Sequence, residues 1–335
     1  MMEPVRLGSV GLGWWGGNLA RTARDSGSAQ VVACFDLVPE ARARFAEEHG
    51  CIAVDSLDGL LGNSEVEGIL FATPHSTHLQ MVEAAASAGK HVYIEKPLTL
   101  SVTDAKRAIE VTARAGVVLQ VGHNRRRQPA NRRIKQMLDA GELGTLLQLE
   151  GFHASPLGYK PDQPGWRKDR EECPAGGMTG LAVHTVDTFH YLAGPAAKVV
   201  AFTKRIADVD PPDSPLDDAT SVLIEYESGP LATIGTSVFV ATNVALAAFG
   251  TEATAWNEED GAKLYVQRRA EPVRGEVPVE GMDTVADELG EFARCIRTGD
   301  RPETGGPEGL EVAAVLEAII LSSESGRAVE VSSLR

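Results

Sequence analysis

Val5-Arg6-Leu7-Gly8-Ser9-Val10-Gly11-Leu12-Gly13-Trp14-Trp15-Gly16 decides how the first part of this chain folds. The apolar run from Val5 to Val10 reads as a buried strand, and it leads directly into three glycines spaced G-x-G-x-x-G. A helical stretch follows from about Asn18 to Asp25, then a second apolar run, Val31 to Phe35, ending at Asp36, 20 positions after Gly16. Strand, glycine turn, helix, strand and acid in this order form a dinucleotide-binding fingerprint. Gly11 permits the tight turn, Gly13 lets the backbone approach a pyrophosphate, and Gly16 allows close packing of helix on strand. The helix N-terminus offers unpaired N–H groups to the anion. Asp36 is placed to accept hydrogen bonds from the ribose hydroxyls. Its charge opposes a 2′-phosphate, which favours NAD over NADP, with Arg42 and Arg44 as the residues through which a phosphate would be read instead. Trp14 and Trp15 are expected to pack against the cofactor or a domain seam.

The alternation of strand and helix continues through the first third. Gly68 to Ala72 reads as a strand ending at Thr73-Pro74-His75-Ser76-Thr77-His78, followed by a helix from Leu79 to Ala88. The strand His91 to Ile94 ends at Glu95-Lys96-Pro97, a helix covers Val102 to Ala115, and the strand Val117 to Val121 ends at Gly122-His123-Asn124. In an open parallel sheet ligands bind at the carboxyl ends of strands, where all these polar clusters fall. A domain boundary is expected there, with a Rossmann domain over residues 1–124 and an α+β domain over residues 125–335.

Composition excludes several classes. Lys and Arg number 32 against 47 Asp and Glu, a formal net charge of −15, which argues against nucleic acid or an anionic membrane as partner. The one basic run, Arg125-Arg126-Arg127 with Arg132 and Arg133, is too short to reverse that. Four scattered cysteines without a C-x-x-C pair read as reduced, cytosolic thiols. No signal peptide is visible, and a soluble, cytoplasmic protein is expected. The stretch from Ser228 to Thr251 carries no charge for 24 positions, but its glycines, Pro230 and many hydroxyls suit paired strands better than a membrane span.

Once Glu95-Lys96-Pro97 is reached, the whole chain resembles the Gfo/Idh/MocA oxidoreductase family. The glycine turn, the T-P-x-x-x-H strand end and the E-K-P strand end occur in the family's order. Gly122-His123-Asn124-Arg125-Arg126-Arg127-Gln128-Pro129 is similar to its G-F-x-x-R-F-x-P segment, with His123 and Arg127 in place of aromatics. Trp166-Arg167 precedes a glycine pair, and the tail from Phe292 to Arg327 resembles the closing helices and short strand. The resemblance implies that Gly11, Gly13, Gly16 and Asp36 hold the cofactor, with Trp14, Trp15, Asn124, Trp166 and Arg167 beside it. Thr73, Pro74, His75 and His78 would line its nicotinamide side, and Glu95 and Lys96 would sit next to the ring, with Pro97 shaping the turn. Lys96 would donate to the reacting oxygen.

Gly176-Gly177-Met178-Thr179-Gly180-Leu181-Ala182-Val183-His184-Thr185-Val186-Asp187 resembles the family's catalytic helix, a glycine pair followed by D-x-x-x-H-x-x-D. His184 and Asp187 match, but Gly180 replaces the first Asp. Four residues apart on a helix, that carboxylate would share a face with the imidazole and raise its pKa. In its absence either Asp187 holds His184 or Lys96 carries more of the proton transfer. Arg126, Tyr159, Thr179, Lys96, His184 and Asp187 are the expected substrate contacts, with Tyr159, Trp166 and Arg167 on a loop covering a cleft. His75 and His78 have H-x-x-H spacing but lack a third ligand, so no metal is expected.

The remainder reads as a β-rich layer over Leu146–His153, Lys198–Ile206, Thr220–Tyr226, Ala232–Val240 and Val244–Phe249, with a hairpin at Ser228-Gly229-Pro230 and helices at about Val285–Arg297 and Gly309–Ser323. In the family this sheet has an open face against another subunit, which implies a homodimer or homotetramer. The function implied is hydride transfer between NAD(P) and a secondary alcohol or ketone of a sugar, cyclitol or related cyclic compound. Two alternatives stand beside it: a glycoside hydrolase that oxidises transiently with NAD, and a dinucleotide-sensing regulator without catalysis.

Overall fold

A computed structural model of the protein describes residues 3–156, 165–207 and 216–335. The opening apolar run forms strand β1 (Val5–Val10), and helix α1 (Trp14–Ser26) starts inside the glycine turn, four residues before the first helical residue expected from the sequence. The alternation then runs β2 (Ala29–Phe35), α2 (Pro39–His49), β3 (Ile52–Ala53), α3 (Leu57–Leu61), β4 (Gly68–Phe71), α4 (His78–Ser87), β5 (His91–Ile94), α5 (Val102–Ala115) and β6 (Leu119–Val121). Among the described residues these six strands form one parallel sheet in the order β3-β2-β1-β4-β5-β6, the doubly wound arrangement. Helix boundaries follow local chemistry. Ser101 caps α5 by accepting from the Asp104 amide at 3.1 Å, and Gly27, Gly50 and Gly116 end α1, α2 and α5 in the left-handed conformation.

The second half continues with α6 (Pro129–Asp139), β7 (Leu146–Ala154), a π-wound turn (Met178–Ala182), α7 (Val183–Ala193), β8 (Ala196–Lys204), β9 (Ala219–Tyr226), β10 (Leu231–Ser237), β11 (Asn243–Gly250), β12 (Ala253–Glu258), β13 (Lys263–Arg268) and β14 (Gly275–Val277). Helices α8 (Thr284–Thr298) and α9 (Gly306–Ser325) and the short β15 (Val329–Glu330) close the chain. The second sheet has the order β14-β13-β12-β11-β7-β10-β9-β8-β15 and is antiparallel except where β7 runs parallel to β10. The uncharged stretch from Ser228 lies in β10 and β11. Its Gly229, at φ 110°, makes the expected turn after β9. Among the described residues no helix is long and apolar enough to cross a membrane.

The chain divides into two compact units, Met1–His123 with Asp283–Leu310, and Asn124–Met282 with Glu311–Arg335. A single cut after residue 124 therefore misses the return of Asp283–Leu310 to the first unit. The reason is hydrophobic: Val285, Leu289 and Phe292 of α8 are buried in one core with Leu19, Ala23 and Tyr93. Phe292 meets the Tyr93 ring edge-on at 5.9 Å.

The second sheet shows clean two-sided patterning along β9. Val222, Ile224 and Tyr226 are buried, alternating with exposed Ser221, Leu223 and Glu225. Helix α7 lies on the buried face, where the missing Cβ of Gly151 makes room for Phe189. The opposite face carries a shallow apolar groove that includes Phe152, Val200, Phe202, Leu223 and Trp256, with Phe202 65% exposed.

Candidate functional site

In the first unit the glycine turn is shaped by steric necessity. Gly11 sits at φ 84°, and a Cβ there would run into the Ala72 carbonyl; a Cβ on Gly16 would strike the carbonyl oxygen of Gly11. Gly13 has nothing within 4 Å of where a Cβ would stand, so the backbone is open to a ligand at the N-terminus of α1. That terminus has no side-chain cap and no acidic residue in its first turn. Its amide donors are directed to an anion by the same geometry that leaves them unsatisfied within the helix.

Asp36, at the end of β2, is tied to this turn. Its Oδ2 accepts from the Leu12 amide at 2.8 Å and its Oδ1 from the Val38 amide at 3.0 Å. Each carboxylate oxygen retains a further lone pair, which is what two ribose hydroxyls require. Arg42, through which a 2′-phosphate would be read, is engaged elsewhere. Its guanidinium donates to the Asp36 carbonyl at 2.9 Å and to Asp55 at 3.3 Å, and lies over the Phe35 ring at 5.9 Å. These residues suit NAD.

The ends of β4 and β5 are joined through His78. This side chain is fully buried, with Nδ1 2.8 Å from the Pro97 carbonyl and Nε2 3.2 Å from the Thr73 carbonyl. It pins the Thr73-Pro74 turn to the carbonyl of Pro97, just after the cis Lys96–Pro97 peptide. His75 is also buried and meets the His78 ring edge-on at 5.7 Å, while Thr73 Oγ1 accepts from Thr77 at 2.8 Å. Lys96 is half-buried.

Glu95 forms a cluster that sequence reasoning missed in part. The Trp15 indole N–H donates to Glu95 Oε1, and Glu95 Oε2 accepts from the Lys96 amide at 3.3 Å. The Tyr93 hydroxyl lies 3.4 Å from Glu95 Oε1 and donates to Glu288 Oε2 at 2.8 Å. Tyr93 and Glu288 are fully buried, and a Cβ on Gly122 would come within 2.7 Å of Glu95, so only glycine leaves the cluster its space. Trp15 thus joins the glycine turn to the Glu95-Lys96-Pro97 turn, whereas Trp14 is 83% exposed. Nothing in the sequence links Glu288 to Tyr93, because α8 is far along the chain.

In the second unit, His184 stands at the start of α7, immediately after the π-wound turn Met178–Ala182. Such turns often mark functional positions. A Cβ on Gly180 would meet nothing within 4 Å. The His184 ring stacks on His153 of β7 with centroids 6.2 Å apart and planes 22° from parallel. Asp187 lies three residues further along α7. Arg126 holds it bidentately, Nε to Oδ2 at 2.9 Å and Nη2 to Oδ1 at 2.5 Å, with both side chains buried.

His184 and His153 line a small cavity of about 20 Å³, room for a single water, together with Arg125, Gln128, Asn131 and Asn257. Asn257 Nδ2 donates to Asn131 Oδ1 at 2.7 Å, and Asn131 Nδ2 donates to the Arg125 carbonyl at 2.9 Å. Arg125 is ion-paired with Asp260, and burial pushes its guanidinium down to about 10, so it remains a cation at neutral pH. The basic run is consumed internally: Arg132 donates to the Tyr191 hydroxyl at 3.0 Å and Arg133 pairs with Glu142 at 3.1 Å.

The other expected contacts are distributed more widely. Thr179 is buried, and its hydroxyl accepts from the Ala175 amide at 3.1 Å. Arg167 stacks over the Trp166 ring at 4.5 Å, both half-buried, and Asn124 is half-buried at the start of the second unit. Tyr159 lies outside the described residues.

Residues 5–123 match the family model described as an oxidoreductase family with an NAD-binding Rossmann fold, and residues 131–256 match the Gfo/Idh/MocA C-terminal domain. Among curated proteins, 1,5-anhydro-D-fructose reductase of Ensifer adhaerens is 26% identical over 311 residues, covering 90% of this chain and 91% of its own. D-apiose dehydrogenase of Paraburkholderia graminis is 26% identical over 344 residues, 97% of this chain and 89% of its own. A crystal structure of an oxidoreductase from Desulfitobacterium hafniense, described as NADPH-dependent, superposes with a TM-score of 0.93 at 27% identity, covering 100% of this chain and 99% of that one. Levoglucosan dehydrogenase in complex with NADH and L-sorbose shares the fold, with a TM-score of 0.90 at 22% identity over 98% and 99% of the two chains. With both halves matched, this chain belongs to the Gfo/Idh/MocA family of NAD-binding oxidoreductases.

Proposed function

We propose that this oxidoreductase moves a hydride between the nicotinamide of NAD and the carbon of a secondary alcohol, or its ketone, on a sugar or related cyclic polyol. The observation that carries the reading is the glycine turn whose Leu12 amide is bonded to Asp36, because it builds a ribose and pyrophosphate seat in one piece. Bound NAD supplies the hydride acceptor. The chain supplies position and a proton route: Gly11, Gly13 and Gly16 seat the pyrophosphate, Asp36 the ribose, and His78 and Glu95 fix the turns that carry Thr73 and Lys96. Lys96 donates to the substrate oxygen. His184 takes or returns the hydroxyl proton, and Asp187 acts through Arg126 to hold the start of α7 in place. The relatives named as sugar reductase and dehydrogenase support the substrate class.

NADH is preferred over NADPH in this reading, since Asp36 opposes a 2′-phosphate and Arg42 is bonded to Asp36 and Asp55. Fluorescence titration with the two reduced cofactors tests it. NADH should bind at least about tenfold tighter, the usual scale for one misplaced charge, and Asp36→Ser should narrow the gap. Tighter NADPH binding would overturn the cofactor assignment. A second reading follows from one relative, 2,7-anhydro-N-acetylneuraminate hydratase of Escherichia coli, 29% identical over 69% of this chain and 61% of its own. A reaction of that type would consume substrate without accumulating NADH, which following both substrate loss and NADH across a panel of sugars would reveal.

The apolar groove across Phe152, Phe202 and Leu223 fits a second copy of this chain in a homo-oligomer, and a cytoplasmic setting suits its four free thiols. Phe202→Asp should lower the mass seen by sedimentation.

A further inference from the structure

The side-chain amides of Gln128, Asn131 and Asn257 line the small cavity beside His184, and their hydrogen bonds run in one direction. The chain starts at the Asp260 carbonyl, which can only accept. Gln128 Nε2 donates to it at 2.8 Å, so Gln128 Oε1 is turned toward the Nδ2 groups of Asn131 and Asn257, which donate to it at 3.2 and 3.4 Å. The Arg125 carbonyl fixes the second amide in the same way. Asn131 Nδ2 donates to it at 2.9 Å, which leaves Asn131 Oδ1 to accept from Asn257 Nδ2 at 2.7 Å. With two amides oriented by backbone carbonyls, Asn257 must present its nitrogen to them.

The chain therefore ends on an acceptor. Asn257 Oδ1 is buried and has no hydrogen-bond partner among the described residues, on a side chain only 4% exposed. Buried amide oxygens are nearly always paired, and each exception calls for an explanation. The cavity that Asn257 lines supplies one: about 20 Å³ is room for a single water, and the wall is polar enough to hold it. Other groups of that wall are committed elsewhere. Thr188 Oγ1 donates to the His184 carbonyl at 2.9 Å, and Arg125 is paired with Asp260. The imidazoles of His153 and His184, stacked with their planes 22° apart, share the wall with Asn257.

We propose that Asn257 is a positioning residue for His184, acting through one ordered water in this cavity. The water donates one O–H to Asn257 Oδ1 and makes its next hydrogen bond to a ring nitrogen of His184. A ring tied at one nitrogen neither turns nor exchanges tautomers freely, so the other nitrogen keeps a single protonation state for a reacting hydroxyl. Position 180 is a glycine and offers no carboxylate for this task. The catalytic value of the fixed tautomer rests on the proposed role of His184 in proton transfer; the water anchor does not.

The test is read on the full chain without substrate. A crystal structure at a resolution that orders buried waters should show one water within about 3.2 Å of both Asn257 Oδ1 and a His184 ring nitrogen. Nitrogen-15 NMR of the His184 ring at about pH 8, where a histidine of ordinary pKa is neutral, should show two well-separated ring resonances, the mark of one tautomer. Asn257→Leu is close in size and removes the acceptor, and the two resonances should then converge as tautomers exchange. Asn257→Asp also loses the amide donor to Asn131 but keeps an acceptor, and should hold them apart. Convergence in both variants would assign the effect to the broken amide chain and overturn the water anchor. So would a cavity without an ordered water, a water bonded to His153 and not to His184, or resonances unmoved in Asn257→Leu. The crystal structure of the unsubstituted protein decides the matter should neither variant fold. A loss of only a few-fold in turnover in His184→Ala, with the water in place, would instead overturn the reading of His184 as acid or base and leave the anchor standing.

Discussion

The glycine turn of the first unit and the His184 turn of the second are both departures from regular helix, yet they are held by different means. Around Gly11–Gly16 the constraints come from backbone: a left-handed glycine, two carbonyls that exclude a Cβ, and an Asp36 carboxylate bonded to main-chain amides. Around His184 they come from side chains distant in sequence. Asp187 is clamped by Arg126, Arg125 by Asp260, and the His184 ring by His153. A backbone-built site tolerates change in most of its side chains and fails at its glycines. A side-chain-built site fails wherever one partner of a buried pair is removed.

The largest effect expected from this contrast is at Asp187. Replacing it with alanine leaves the Arg126 guanidinium charged and buried without its bidentate acceptor, a loss of about 3–5 kcal/mol in such pairs. Urea unfolding monitored by circular dichroism would measure it. Asp36→Ala, by contrast, removes a half-buried acceptor whose amide donors can turn to water, and should cost about 1 kcal/mol. Equal costs at the two positions would break the distinction.

The next effect is kinetic. His184→Ala should lower turnover by at least about 100-fold, the usual scale for a general acid or base, with NADH affinity unchanged. A loss of only a few-fold would move the proton transfer to Lys96. Either outcome separates chemistry from coenzyme seating, because His184 belongs to the second unit and the glycine turn to the first.

The same contrast explains what could be read from the sequence. Five of the six first-unit strands lie within two residues of their expected bounds, since buried parallel strands are short apolar runs punctuated by turns, whereas the two-residue, exposed β3 was not anticipated. The glycine turn and Asp36 were legible because their spacing is local. By contrast, β12, β13 and β14 were not anticipated, although in β13 the buried Leu264 and Val266 alternate with Lys263, Tyr265 and Gln267. The return of α8 to the first unit depends on Leu289, Phe292 and Glu288 meeting Tyr93, contacts that no local pattern encodes. Asp187 looked like a partner for His184 because three residues on a helix share a face. Arg126, a bidentate donor arriving from another element, also holds it, in a pairing that no local spacing announces. The departure at Gly180 was visible, but the π winding of the turn in which it lies was not.

The smallest expected effect concerns how α8 is fastened to the first unit, and it has a definite pH signature. Arg297, near the end of α8, pairs with Glu67 just before β4, and Glu67 also accepts from the Arg6 amide at 2.8 Å. The hydrogen bond from Arg297 holds the Glu67 carboxyl below its ordinary value of 4.5, against the opposing effect of burial. Since the folded-state pKa is depressed, the stabilisation is fully present above about pH 4.5 and fades as pH falls from there through the folded value. Both side chains are partly solvated, so the pair should contribute no more than about 0.5–1 kcal/mol. Glu67→Gln should therefore lower the urea midpoint slightly at neutral pH, and the gap to the parent protein should close as the pH falls below 4.5 and through the depressed folded-state value. A gap that persists in acid would show that the side chain acts by packing. A gap of several kcal/mol at neutral pH would mean that the first unit, too, depends on a side-chain pair, and would erase the difference between the two units.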